Sequence, residues 1–175
     1  MEFIKTGMLY SPEIIKLVSK KIKQYNLKAV VDPVMVATSG GDLTKEDIAD
    51  AFNKYLLPNS ILTTPNISEA EKLTGLEIKT KEDAIKASKK IVCDNIITGG
   101  HLDGINTISI NGNVSTIKQE LIKTDNLHGT GCNLSSAIVA FLAKNNDLNT
   151  SIIKALDYVY EGIKNGNHGT LIAKL

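Results

Sequence analysis

His128-Gly129-Thr130-Gly131-Cys132 leads into the helix whose pattern decides how the chain is read. Downstream, Leu134, Ala137, Ile138, Phe141 and Leu142 recur at i, i+3, i+4, i+7 and i+8, the spacing of one buried helical face. The Gly-x-Gly therefore sits at a helix start, where backbone N–H groups have no intrahelical acceptor and the dipole presents its positive end. Such a terminus attracts anions, and glycines let a phosphate come close to the backbone. A bare Gly-x-Gly is more often only a tight turn. Cys132 adds chemistry, because a thiol in the first helical turn has its pKa lowered and can serve as a base.

Working outward, helical and strand patterns alternate. Phe3–Thr6 reads as a short strand, and Ser11-Pro12-Glu13 as N-cap, first helical residue and first-turn acid, followed by Ile14, Ile15, Val18, Ile22 and Tyr25. Lys28–Val31 is a buried-strand candidate closed by Asp32-Pro33. Thr44 with Asp47 resembles a capping box ahead of the stripe Ile48, Ala51, Phe52, Tyr55 and Leu56. Ile61–Thr63 and Asn95–Thr98 are further strands, separated by helices at about residues 68–74 and 80–92. Asn106–Ile110 and Val114–Lys118 flank Asn111-Gly112, a hairpin signature. A last helix spans about residues 150–164, stopped by Gly166. Strands alternating with helices imply right-handed βαβ units and a mostly parallel α/β sheet, here as a three-layer α/β/α arrangement in a single domain over residues 1–175.

Composition narrows the function. With 42% hydrophobic and 22% charged residues, the 175-residue chain can bury a core. Twenty Lys plus Arg against 19 Asp plus Glu give a net charge of +1, which offers no footprint for nucleic acid or an anionic membrane. The longest apolar run, Ile138–Ala143, is too short to span a bilayer. Cys93 and Cys132 form no CxxC pair, and His101, His128 and His168 show no HxxxH spacing. With no signal peptide visible in Met1–Tyr10, these features predict a reduced, cytoplasmic protein.

In parallel sheets ligands gather beyond the carboxyl ends of the strands. Asp32, then Asn66 with Glu69, then Gly99-Gly100-His101 all fall there. Each has a plain structural alternative: Asp32-Pro33 as a turn, Asn66 and Glu69 as helix cap and first-turn acid, Gly99-Gly100 as a strand exit. Their order carries more. The series Lys5-Thr6-Gly7-Met8-Leu9, Asp32-Pro33-Val34-Met35, Thr64-Pro65-Asn66 with Glu69-Ala70, Gly99-Gly100-His101 and His128-Gly129-Thr130-Gly131-Cys132 resembles the hydroxymethylpyrimidine/phosphomethylpyrimidine kinases of thiamine biosynthesis, within the ribokinase-like superfamily. The resemblance runs over essentially the whole chain.

It implies ATP-dependent phosphorylation of 4-amino-5-hydroxymethyl-2-methylpyrimidine or its monophosphate, by positioning and charge neutralisation. By the same resemblance, Gly129, Thr130 and Gly131 form an anion hole for the transferring phosphoryl group, with Thr130 also on the nucleotide, and Cys132 takes the proton of the substrate hydroxyl. Asp32, Asn66 and Glu69 match positions that organise Mg²⁺ and its waters. Gly99, Gly100 and His101 would line the nucleotide groove, and Met8 and Val34 would flank the pyrimidine. The implied partners are the pyrimidine and ATP, with a homodimer or a complementing N-terminal polypeptide left open. Members of the family begin with a further βαβ section bearing a Gly-Ser-Asp-Ser-type segment; here the motifs start at Lys5, so the expectation is an N-terminally truncated sheet. Leu127 stands where a Thr often precedes the His, and the stretch from Lys90 to Asn95 is compressed. Pyridoxal or pyridoxine kinase, a non-catalytic nucleotide-binding module and half of a split kinase are the alternatives.

Overall fold

The computed structural model describes residues 2–35, 48–126, 128–167 and 169–172. The chain forms two compact units, Met1–Glu120 and Leu121–Leu175.

The first unit follows the alternation in the sequence. Strand β1 (Phe3–Thr6) leads to helix α1 (Pro12–Gln24), β2 (Lys28–Val31), α2 (Ile48–Ala51), β3 (Leu62–Thr63), α3 (Ile67–Thr74), α4 (Lys81–Lys90), β4 (Asn95–Ile97), β5 (Ile105–Ile110) and β6 (Asn113–Lys118). The six strands lie side by side in chain order. Pairing is parallel from β1 to β4 and antiparallel from β4 to β6. Crossovers between parallel strands are right-handed as a rule, and with a strand order that never reverses that rule sends the connecting helices to one face of the sheet. The core reflects this. Ala29, Val31 and Ile97 of the sheet pack with Ile15, Ile22, Phe52, Ala70, Leu73 and Ala84 of the helices. Val30, Leu62, Ile96 and Ile108, of opposite parity, are equally buried on the other face.

Local signals place the ends. The Ser11 side chain accepts from the Ile14 N–H at 3.4 Å, with Pro12 at the first helical position. Asn111 (φ 51°) and Gly112 (φ 78°) make the tight turn of the β5–β6 hairpin. The stripe Ile48, Ala51, Phe52, Tyr55 and Leu56 departs from the single α-helix its spacing predicts. After α2 the backbone widens into a π-helical turn (Phe52–Leu56) and tightens into a 3₁₀ turn (Leu57–Asn59). Pro58 has no N–H to continue the ladder, and the Tyr55 carbonyl instead accepts from Ser19 Oγ at 2.5 Å and Asn59 Nδ2 at 2.7 Å. Thr44 and Asp47 of the expected capping box, and Leu127, lie outside the described residues.

The second unit is a helical hairpin, α5 (Thr130–Ala143) and α6 (Leu148–Lys164). Its core joins Leu134, Ala137, Ile138 and Leu142 to Ile152, Ala155, Leu156 and Val159. Asp147 caps α6 by accepting from the Thr150 N–H at 2.9 Å, and the helix begins at Leu148, two residues ahead of the expected start. Phe141, expected on the buried stripe, is only half-buried and lies under Lys154 Nζ, 5.9 Å from the ring centre.

Candidate active site

Parallel registry brings the polar residues of the first unit to one end of the sheet. Lys5 pairs with Val30 across β1 and β2, and the Asp32 N–H donates to the Thr6 carbonyl at 3.1 Å. Asp32 thus stands just past the end of β2 with 3% of its surface exposed. The same end of β3 runs through Thr64-Pro65 into α3, whose start is a complete capping box. Glu69 N–H donates to Asn66 Oδ1 at 2.9 Å, and Asn66 N–H donates to Glu69 Oε2 at 3.0 Å. The Met35 N–H also donates to the Glu69 carboxylate, which ties the β2 exit to α3. Asn66 and Glu69 are therefore helix cap and first-turn acid, the plain reading of each taken alone.

That reading does not exhaust Glu69. Capping acids are ordinarily solvated, and this one is 4% exposed. Burial pushes its pKa up to about 7, aided by the charge of Asp32 and opposed by the N–H donors of Asn66 and Met35 and by Lys72. Two carboxyl groups close enough to repel, sharing one buried end of a sheet, are costly unless a cation offsets them. One does so already: Lys5 Nζ lies 3.3 Å from Asp32 Oδ2. Lys5 was part of a motif in the sequence but had no role there. Its signal was a lysine in a short apolar strand, aligned with the strand that ends at Asp32.

The donor set can be weighed against a metal. Asp32, Glu69 and the remaining lone pair of Asn66 Oδ1 are hard oxygen donors. Among the described residues no group of three or more His, Cys, Asp or Glu side chains is placed to hold an ion. Two carboxylates without a third suit Mg²⁺, which keeps waters and completes its shell with phosphate oxygens.

The second unit builds its feature from backbone. Gly129, at φ 81°, is the N-cap of α5, a left-handed conformation that favours glycine, and no side chain caps this end. The first helical bond runs from Asn133 N–H to the Gly129 carbonyl at 2.9 Å, so the N–H groups of Thr130 and Gly131 point beyond the helix. Apart from its chain neighbours and its own helix backbone, no described atom lies within 4 Å of where a Cβ on Gly131 would stand. Cys132 is exposed in the same turn. The turn is pinned from the chain's far end: Gly169 N–H donates to Asn126 Oδ1 at 2.9 Å and His128 N–H to the Gly169 carbonyl at 3.2 Å.

The remaining predicted residues are placed as follows. Met8 is 55% exposed after β1, and Val34 is half-buried after β2, its N–H donating to the Asp32 carbonyl at 2.9 Å. Gly99, Gly100 and His101 follow β4, beside Asn66, which bridges to Thr98. A Cβ on Gly99 would lie 1.7 Å from the Ile105 carbonyl oxygen, so packing alone demands glycine there. Gly100 has open space around it and His101 is exposed.

The family described as phosphomethylpyrimidine kinase matches residues 1–172. The chain belongs to that family. It is 34% identical over 171 residues to a hydroxymethylpyrimidine/phosphomethylpyrimidine kinase of Bacillus subtilis, covering 93% of this chain and 63% of the relative. It is 35% identical over 174 residues to a pyridoxine kinase of the same organism, covering 94% and 64%. The chain thus spans somewhat less than two thirds of the length of these curated relatives. A solved pyridoxal kinase from Staphylococcus aureus in complex with AMP-PCP superposes with a TM-score of 0.89 at 32% identity, covering 99% of this chain and 67% of that one. The mostly parallel α/β fold is that of these kinases. No helix among the described residues is long and apolar enough to cross a membrane.

Proposed function

We propose that this chain takes part in ATP-dependent phosphoryl transfer to a small aromatic heterocycle: to the hydroxymethyl group of 4-amino-5-hydroxymethyl-2-methylpyrimidine, or to the phosphate of its monophosphate. The observation that carries this is the buried carboxylate pair Asp32 and Glu69 at the strand ends, in a chain matched over residues 1–172 by the phosphomethylpyrimidine kinase family. Membership of that family favours the pyrimidine. The 35% identity to a pyridoxine kinase supports pyridoxal as the second reading.

Phosphoryl transfer asks a protein mainly to position reactants and neutralise charge. Asp32 and Glu69, with Asn66, would hold Mg²⁺ on the nucleotide phosphates. When bound, that ion withdraws charge from the phosphate oxygens. The N–H groups of Thr130 and Gly131 would receive oxygens of the phosphoryl group, aided by the dipole of α5, whose 14 residues give it a full positive end. The Cys132 thiolate would accept the hydroxyl proton as the substrate oxygen bonds to the γ-phosphorus and the bond to the β,γ-bridging oxygen breaks, releasing ADP. Gly99, Gly100 and His101 are assigned to the nucleotide groove, and Met8 and Val34 to the flanks of the heterocycle.

Calorimetric titration tests this directly. Mg·ATP is expected to bind, and the pyrimidine then to bind more tightly than pyridoxal. A preference for pyridoxal selects the second reading, and no heat with any nucleotide overturns both.

A further inference from the structure

The ion pair of Lys5 with Asp32 is the one feature of the carboxylate pocket that a metal-binding role leaves unexplained. Only 21% of the Lys5 side chain is exposed, and Asp32 is nearly covered. A lysine serving only solubility would extend into water. Instead it leans back along the strand end, where Gly7 leaves room: a Cβ at that position would lie 3.2 Å from Lys5 Nζ. The pocket it enters carries the second carboxyl group, Glu69, within electrostatic reach of Asp32.

We infer that Lys5 is a displaceable counter-ion, whose ammonium occupies the cation position beside Asp32 until a divalent ion takes that carboxylate. The inference rests on the assignment of Asp32 and Glu69 to a divalent cation. An ammonium and a divalent ion compete for the same oxygen, because a cation 3.3 Å from Asp32 Oδ2 repels an incoming one and holds a lone pair it needs. Lys5 therefore stabilises the empty pocket and weakens the filled one. Removing its charge must shift the two states in opposite directions, which loss of a purely structural contact does not do.

Mn²⁺ alone, followed by its paramagnetic resonance signal, is the probe, with wild type, Lys5→Met and Lys5→Arg compared without nucleotide. Lys5→Met is expected to bind Mn²⁺ about three- to tenfold more tightly, since a partly buried charge contact is worth up to about a tenfold change. Its metal-free melting temperature falls, and saturating Mn²⁺ raises it by more than in wild type. Lys5→Arg, which keeps the charge, returns the affinity to within about twofold of wild type. Unchanged or weaker binding in Lys5→Met, or tightening of the same size in Lys5→Arg, overturns the counter-ion role and leaves the metal assignment standing. Failure of all three proteins to bind Mn²⁺ overturns the metal assignment, and the inference with it.

Discussion

The two regions assigned to phosphate chemistry are built in opposite ways. The pocket at the ends of β2 and β3 is made of side chains: two buried carboxyl groups, a capping asparagine and a lysine. The start of α5 is made of backbone, with a glycine in the left-handed conformation, no capping side chain and an exposed thiol. The first concentrates negative charge in a place where water is scarce and needs a cation. The second offers partial positive charge in the open at little conformational expense. The lesson is that one is held by a hydrogen-bond network whose loss should be felt in stability and in pH response, and the other by local geometry whose loss should be felt in turnover.

The largest expected effect belongs to the helix start. In an assay where wild type phosphorylates the pyrimidine, Cys132→Ala should lower kcat by roughly 10²–10⁴-fold, the range of a positioned acid–base group, with ATP affinity nearly unchanged. Cys132→Asp should keep part of the activity, because a carboxylate can accept the same proton. Gly131→Val should abolish nucleotide binding while shifting urea-unfolding stability by less than about 1 kcal/mol, since no described atom outside its chain neighbours and own helix backbone lies within 4 Å of the Cβ position. Full turnover in Cys132→Ala would remove the thiol from the chemistry.

Gly99 provides the contrast among glycines. Its Cβ would stand 1.7 Å from a backbone oxygen, which no side-chain adjustment relieves. Gly99→Ala should therefore cost about 3 kcal/mol or more, as overpacking against backbone does, and lower the unfolding midpoint. A Gly99→Ala protein as stable as wild type would contradict the close approach of residues 99 and 105.

These contrasts show what the sequence could and could not disclose. Strand and helix order was legible because the apolar periods and caps are local; Ser11-Pro12 and Asn111-Gly112 act within a few residues. The π-helical turn after α2 was not, because Ser19, from α1, takes the Tyr55 carbonyl across 36 residues of sequence. Asn66 and Glu69 were legible as candidates by position, and their reciprocal capping is equally local. The environment of Glu69 was not legible, because its carboxylate meets the charge of Asp32 and the N–H of Met35 from a distant stretch of sequence. Lys5 was hidden for the same reason, since only strand registry places it beside Asp32.

The acid pocket predicts a pH signature that the helix start lacks. Glu69 binds its proton more tightly in the folded state, with a pKa of about 7, than in the unfolded chain, where a glutamate titrates near 4.5. Its contribution to stability is therefore fully present below pH 4.5 and is lost as pH rises towards 7. The loss is at most roughly 3 kcal/mol, from about 1.4 kcal/mol per unit. Glu69→Gln should flatten this slope, although the amide meets only one of the two N–H donors and the whole curve drops by a constant amount. Asp83 and Asp147, whose pKa values are lowered by hydrogen bonds from Thr80 and Thr150, act only at more acidic pH and do not mask the window. Equal slopes for wild type and Glu69→Gln, measured by urea unfolding from pH 5 to pH 8, would show that the carboxyl group is not buried as described.

The smallest effect separates the two cysteines. Cys93 precedes β4, and burial together with the neighbouring Asp94 pushes its thiol up to about 12. At pH 8 only about one such group in 10⁴ is a thiolate, against roughly a quarter of ordinary cysteines, and the thiolate is the reacting species. Cys132 is exposed at the positive end of a helix. Iodoacetamide should therefore modify Cys132 first, by about a hundredfold or more in rate, with peptide mass mapping as the readout. Cys93→Ala should change turnover by less than about twofold. Mg·ATP should slow alkylation of Cys132 if its phosphates lie against the first turn of α5, and should leave Cys93 unaffected. Labelling of Cys93 at a rate comparable to Cys132 would mean that the thiol beside Asp94 is not covered, and would erase the contrast between a structural cysteine and a chemical one.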